Sequence, residues 1–160
     1  MKHKILILFF LLLAIPCYTF AQENLAIKEV FDKYGKQDGS VLVQLSSDVL
    51  SQGSSRITYY KSLIMDINST KEREVQQALK ADIANNLIIS EVKKSGRVES
   101  GTYYLGNKGK IHMYILYKNK SNKMTIVYLE GKFSTNKLDN ELKKLKDLFI
   151  YVNNKRIKLQ

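Results

Sequence analysis

The sequence predicts an α+β fold. An antiparallel sheet, with a meander of three C-terminal strands and one or two strands from the N-terminal half, packs against amphipathic helices. Three observations carry this. Stretches near residues 26–34 and 138–149 space their apolar side chains as helices do. Three β-rich stretches between residues 97 and 133 are separated only by the short polar segments "GNKG" and "NKSN", which permit antiparallel hairpins but no crossover. The strands also group late with helices around them, which argues against a parallel βαβ arrangement.

The chain opens with Lys2 and Lys4, an apolar run from Ile5 to Ile15, then Pro16 and small or polar residues to Ala21. This is the pattern of a secretory signal, with Thr19 and Ala21 as the small residues before a cut at Ala21/Gln22. The apolar run is shorter than the ~20 residues a spanning helix needs, and Pro16 would interrupt one. A lipidated Cys17 is disfavoured, because Ile15 and Pro16 stand where small residues are required. Residues 1–21 are therefore expected to be a cleaved leader and 22–160 a single α+β domain, exported to the periplasm or beyond a Gram-negative cell.

Cleavage would shorten the chain from 160 to 139 residues and lower the formal charge from +11 to +9, since Lys2 and Lys4 leave with no acid. It would also remove the only Cys and the only Pro and leave His112 as the one histidine. Disulfides, thiolate nucleophiles and Cys/His zinc sites are then excluded, and no cofactor is implied. Of the 26 basic residues 22 are Lys and 4 are Arg, whereas bidentate phosphate recognition favours Arg. Specific nucleic-acid binding is not expected.

Ile27, Val30, Phe31 and Tyr34 form a helical stripe ending at Gly35. "SVLVQL" reads as a strand after Asp38-Gly39, "SSDVLSQGSS" as a short helical turn and loop, and "RITYYKSLIMDI" as β-rich. Ser69-Thr70-Lys71-Glu72 fits a capping box with Ser69 as N-cap. Val75, Leu79, Ile83 and Leu87 continue at four-residue spacing, which predicts one long helix running towards Lys94 and stopped by Ser95-Gly96.

In the meander, turns centred on "GNKG" and "NKSN" set Tyr104 opposite Ile111 and Met113 opposite Tyr128. Thr102, Tyr104, Ile111, Met113, Ile115, Ile126 and Tyr128 then share the core face. Tyr103, His112, Tyr114, Val127 and Leu129 share a second, more mixed one. Leu138, Leu142, Leu145 and Phe149 stripe a final amphipathic helix.

Together, "VFDKYGKQDGSVLVQLSSDVL", "GRVESGTYYL" and "IVYLEGKFSTNKL" resemble small secreted Bacteroidetes proteins of the domain-of-unknown-function family numbered 6108, and more distantly 4252. The similarity runs through nearly the whole mature chain. It implies an envelope or secreted location and assigns no activity and no catalytic residue.

Few constellations suggest chemistry. Ser90-Glu91-Val92-Lys93 and Lys94-Ser95-Gly96 imitate two elements of penicillin-recognising enzymes. Those elements must face each other across a site, and here they are contiguous. Glu99 and Glu130, or His112 beside Tyr103 and Tyr114, are the candidate acid/base groups of an alternative, hydrolase-like enzyme reading. Asn68-Ser69-Thr70 and Asn119-Lys120-Ser121 match glycosylation sequons, uninformative in a bacterium. The leading expectation is a non-enzymatic envelope protein that binds a protein or anionic glycan partner. Its candidate platform is Tyr103, Tyr114 and His112 with Lys108, Lys110, Lys118 and Lys120.

Overall fold

The computed structural model describes residues 25–53, 55–84, 86–146, 149–152 and 155–158. The expected leader, 1–21, lies outside the described residues. Helix α1 spans Ala26–Tyr34, strand β1 Val41–Leu45 and helix α2 Ser47–Leu50. Strand β2 covers Ile57–Asp66, helix α3 Ser69–Ile83 and strand β3 Leu87–Lys94. The meander follows as β4 (Arg97–Lys108), β5 (Ile111–Lys120) and β6 (Lys123–Gly131), then helix α4 (Leu138–Lys146). Strands β7 (Phe149–Val152) and β8 (Lys155–Lys158) pair as a separate hairpin.

The six-stranded sheet has the order β1-β2-β6-β5-β4-β3 and is antiparallel at every pairing. It buries both faces. On the first, α1 and α3 cover Leu63, Met65, Tyr103, Ile115 and Ile126. On the second, α2 and α4 lie over Tyr60, Tyr114 and Leu129, with Phe133 packed alongside. Hence the fold is a sheet between two helical layers, and its strands carry apolar residues on both sides.

The α1 stripe is as the spacing predicts: Ile27, Val30, Phe31 and Tyr34 are all buried. Its N-terminus has no local cap, because Leu25 has no side-chain acceptor. Asp82 of α3 supplies one from a distance, accepting hydrogen bonds from the Ala26 and Ile27 N–H groups at 2.7 and 2.9 Å. These are donors that a helix start otherwise leaves unpaired. Burial pushes the Asp82 carboxyl up, and the two N–H bonds oppose it.

Helix α3 differs from the expectation at both ends. Its N-cap is Asn68, whose side chain accepts from the Lys71 N–H at 2.9 Å. Glu72 turns away to Asn119 and Arg97 instead of closing a box on Ser69. The helix stops at Ile83, where the Asn86 side chain donates to the Asp82 carbonyl at 2.7 Å. Leu87–Lys94 is not helix but an edge strand, and Ser95-Gly96 is its hairpin turn, with φ of 50° and 77°. Two successive positive φ angles make the primed turn that matches strand twist. The four-residue spacing from Ile83 to Leu87 was coincidental.

The last helix also presents a different face. Leu138 and Leu145 are buried, and between them Glu141 is only 3% exposed. Leu142 is half-buried, and Phe149 begins β7 rather than ending the helix. The Glu141 carboxylate accepts from the Arg56 N–H at 2.7 Å, from Lys144 Nζ at 2.9 Å and from Ser55 Oγ at 3.3 Å. Burial alone would raise its pKa, but these three donors outweigh it and hold the carboxyl below its ordinary value. Glu141 thus ties α4 to the start of β2.

Candidate binding surface

The register within the meander decides where each candidate residue goes. β4 runs on to Lys108, which pairs with Ile111, and a bulge at Gly106 (φ 94°) adds one residue. Tyr104 therefore lies opposite Tyr114, and Tyr103 opposite Ile115. Relative to the expected pairing the shift is odd, so Thr102 and Tyr104 move to the second face and Tyr103 to the first. Between β5 and β6 the shift is even, since Ile115 rather than Met113 faces Tyr128. Met113, Ile115, Ile126 and Tyr128 accordingly share a face as expected.

Tyr103 and Tyr114 are thus on opposite faces of the sheet, 1% and 0% exposed. They form no surface platform. The Tyr114 ring stacks on Phe133 with centroids 5.4 Å apart, and its hydroxyl donates to the Phe133 carbonyl at 2.9 Å. Burial pushes that hydroxyl up to about 12. The Tyr103 hydroxyl donates to Glu91 at 2.8 Å, and burial and this carboxylate raise its pKa. His112 is half-buried on the second face, with Nδ1 3.0 Å from the Tyr104 hydroxyl.

The four lysines are exposed but do not meet. Lys108 and Lys110 sit at the β4–β5 turn, whereas Lys118 and Lys120 end β5. At roughly 3.3 Å per residue, the strand holds the two pairs on the order of 25 Å apart. Glu99 and Glu130 do not converge either. Glu99 lies near the Lys118 end, and Glu130 pairs with Met113 five residues along β5. Ser90–Lys93 and Lys94–Gly96 follow one another along β3 and its turn, so neither can face the other.

What sequence reasoning missed is β3 itself. Its outer edge pairs with no strand among the described residues. Leu87, Ile88, Ile89 and Val92 are all exposed, Leu87 to 56% and Val92 to 54%. The bulge at Val92/Lys93, with Lys93 and Lys94, guards the C-terminal half as native edges usually are guarded. Leu87–Ile89 carries no charge, and the Ile88/Ser90 bulge falls at its end. Beside this edge a groove of about 520 Å³ runs between β3–β6 and α4, lined by Ser90, Thr102, Leu116, Val127, Leu142 and Lys143. The signal that would have found the edge is the run Leu-Ile-Ile before a Ser-Gly turn, which suits a hairpin better than a helix end.

Over residues 14–142 the chain matches the family described as Family of unknown function (DUF6108). The chain belongs to that family. The DUF6108 span takes in every strand of the six-stranded sheet and closes within α4, so the β3 edge lies inside it and the β7–β8 hairpin outside. No curated protein matches the chain. Two stretches that carry the family resemblance have a common physical reason. In Gly101-Thr102-Tyr103 and Gly131-Lys132-Phe133 the aromatic ring lies over the glycine two residues before it, where any Cβ would collide. These motifs pack into the two cores. No helix among the described residues is long and apolar enough to cross a membrane.

Proposed function

We propose that this is an exported, non-enzymatic binding protein, and that β3 receives an extended segment of an envelope protein as an added strand. The observation that supports the reading is the exposed, uncharged apolar edge Leu87–Ile89 on a long outer strand. Strand addition draws affinity from main-chain hydrogen bonds and specificity from side-chain contacts on alternate positions. Charge selects the partner further: Lys93 and Lys94 follow the apolar half, and Lys143 lines the adjoining groove. The segment that fits is apolar opposite Leu87–Ile89 and acidic opposite Lys93 and Lys94.

Export rests on the leader pattern of residues 1–21. N-terminal sequencing of the protein recovered from a Gram-negative periplasm should read Gln22 first. A chain that retains residues 1–21, or starts at an acylated Cys17, contradicts this placement.

For binding, the tagged mature chain is cross-linked in envelope extract beside an Ile88→Lys/Ile89→Lys variant and a Val41→Lys/Leu42→Lys variant at the opposite edge. One saturable partner should be retained by wild type and by the β1-edge variant, and lost by the β3 variant. Retention by all three would defeat the proposal. A cross-link between two copies through β3 would replace the foreign partner with a second copy of the chain.

A further inference from the structure

Two turns and two strand ends meet at the end of the sheet opposite Lys108 and Lys110. They enclose a basin of about 730 Å³ whose lining includes Lys94, Arg97, Lys118 and Lys120, with Glu72 and Glu99 as the acids. Its polar rim also holds Ser95, Asn119, Ser121 and Asn122.

Lysines with and without a carboxylate partner occur across the surface, and the basin gathers three of the latter at one place. Lys33, Lys61, Lys93, Lys123 and Lys144 each have a carboxylate within salt-bridge distance. Here Glu72 serves Arg97 at 3.6 Å and also accepts from Asn119 at 3.3 Å. Lys94, Lys118 and Lys120 have no such carboxylate among the described residues. Four cations against two acids leave the lining at a formal +2. Like charges gathered without counter-charges cost free energy unless something else neutralises them.

We infer that the basin is a binding site for a phosphomonoester, a common biological group whose charge at neutral pH, about −1.5 to −2, matches that surplus. Each ammonium group offers three donors, and the Arg97 guanidinium offers a planar fork for phosphate oxygens. A single carboxylate, as on an acidic sugar, would neutralise only half of the surplus. The phosphate can be free in solution or carried on a lipid headgroup, since the donors recognise the same group in both. The site shares Lys94 with β3 and Ser100 and Lys118 with the groove beside it, but its ligand is a phosphate group rather than a partner strand.

The experiment titrates inorganic phosphate into wild type, Lys118→Gln/Lys120→Gln and Lys108→Gln/Lys110→Gln at low salt, following backbone amide shifts. Both variants remove the same formal charge from exposed positions at opposite ends of β5. Saturable shifts should centre on residues 94–100 and 118–122. The basin variant should bind at least about fivefold more weakly and the distal variant within about twofold of wild type, as loss of two modest charge contacts implies. Flotation with phosphatidylcholine vesicles, with and without phosphatidic acid, separates the sources. Binding only with phosphatidic acid, lost in the basin variant, assigns a lipid phosphate. No vesicle binding with phosphate binding intact assigns a soluble one. Equal weakening in the two variants, or shifts that never saturate, would overturn the site and leave only diffuse attraction by a basic domain.

Discussion

Tyr114→Ala is expected to lower unfolding free energy by about 3–5 kcal/mol, as removal of a fully buried aromatic ring does. Tyr114→Phe should cost only about 1 kcal/mol, the usual worth of one hydrogen bond. The ring is wholly inaccessible and stacked on Phe133, with the Tyr104 ring centroid also 5.4 Å away. Its removal leaves a cavity that β5, held between β4 and β6, cannot collapse to fill. Total stabilities of about 5–15 kcal/mol are typical, so the alanine variant should be close to unfolding and the phenylalanine variant well folded. Urea unfolding of the three proteins measures this. A cost below about 1 kcal/mol for the alanine variant would put Tyr114 on an exposed face, as the binding platform required.

Leu145→Asp should cost a similar amount. The side chain is 5% exposed against the second face, so its burial is worth roughly 2 kcal/mol, and the new carboxylate must also be desolvated. That carboxylate would sit one helical turn from Glu141, whose charge already uses the nearby donors, so like-charge repulsion adds to the loss. Lys143→Asp, exposed on the same helix, should stay within about 0.5 kcal/mol. Leu142→Asp should fall between them. Were Leu142 the most sensitive position, α4 would be rotated from the face described.

These two residues show how much of the molecule the sequence discloses. Where a signal is local it is legible. The i, i+3, i+4, i+7 stripe of α1 and the short polar turns of the meander led to the α+β class, and the structure agrees on both. Where the deciding contact is remote it is not. The bulge at Gly106 flips Tyr103 and Tyr104 between faces, yet nothing beside it in sequence reports the extra residue. Glu141 occupies the buried centre of α4 because Arg56, far away in the chain, presents an N–H there. The β3 strand was concealed differently. Leu87 continues the helical spacing of Val75, Leu79 and Ile83, and only the Asn86 cap and the two-residue turn at Ser95-Gly96 settle it as a strand. Lysines, finally, are legible as residues but not as a patch. Separating Lys108 and Lys110 from Lys118 and Lys120 needed the length of β5.

Amide hydrogen exchange on the complex recovered through β3 tests the central claim most directly. In the free protein, the β3 amides that point away from β4 should exchange quickly while alternate ones, bonded to β4, are protected. On binding, the outward amides of residues 87–94 should gain protection, with β1 at the opposite edge unchanged. Protection that appears elsewhere on the molecule, or a stable complex that leaves the outward β3 amides exchanging as before, would contradict strand addition.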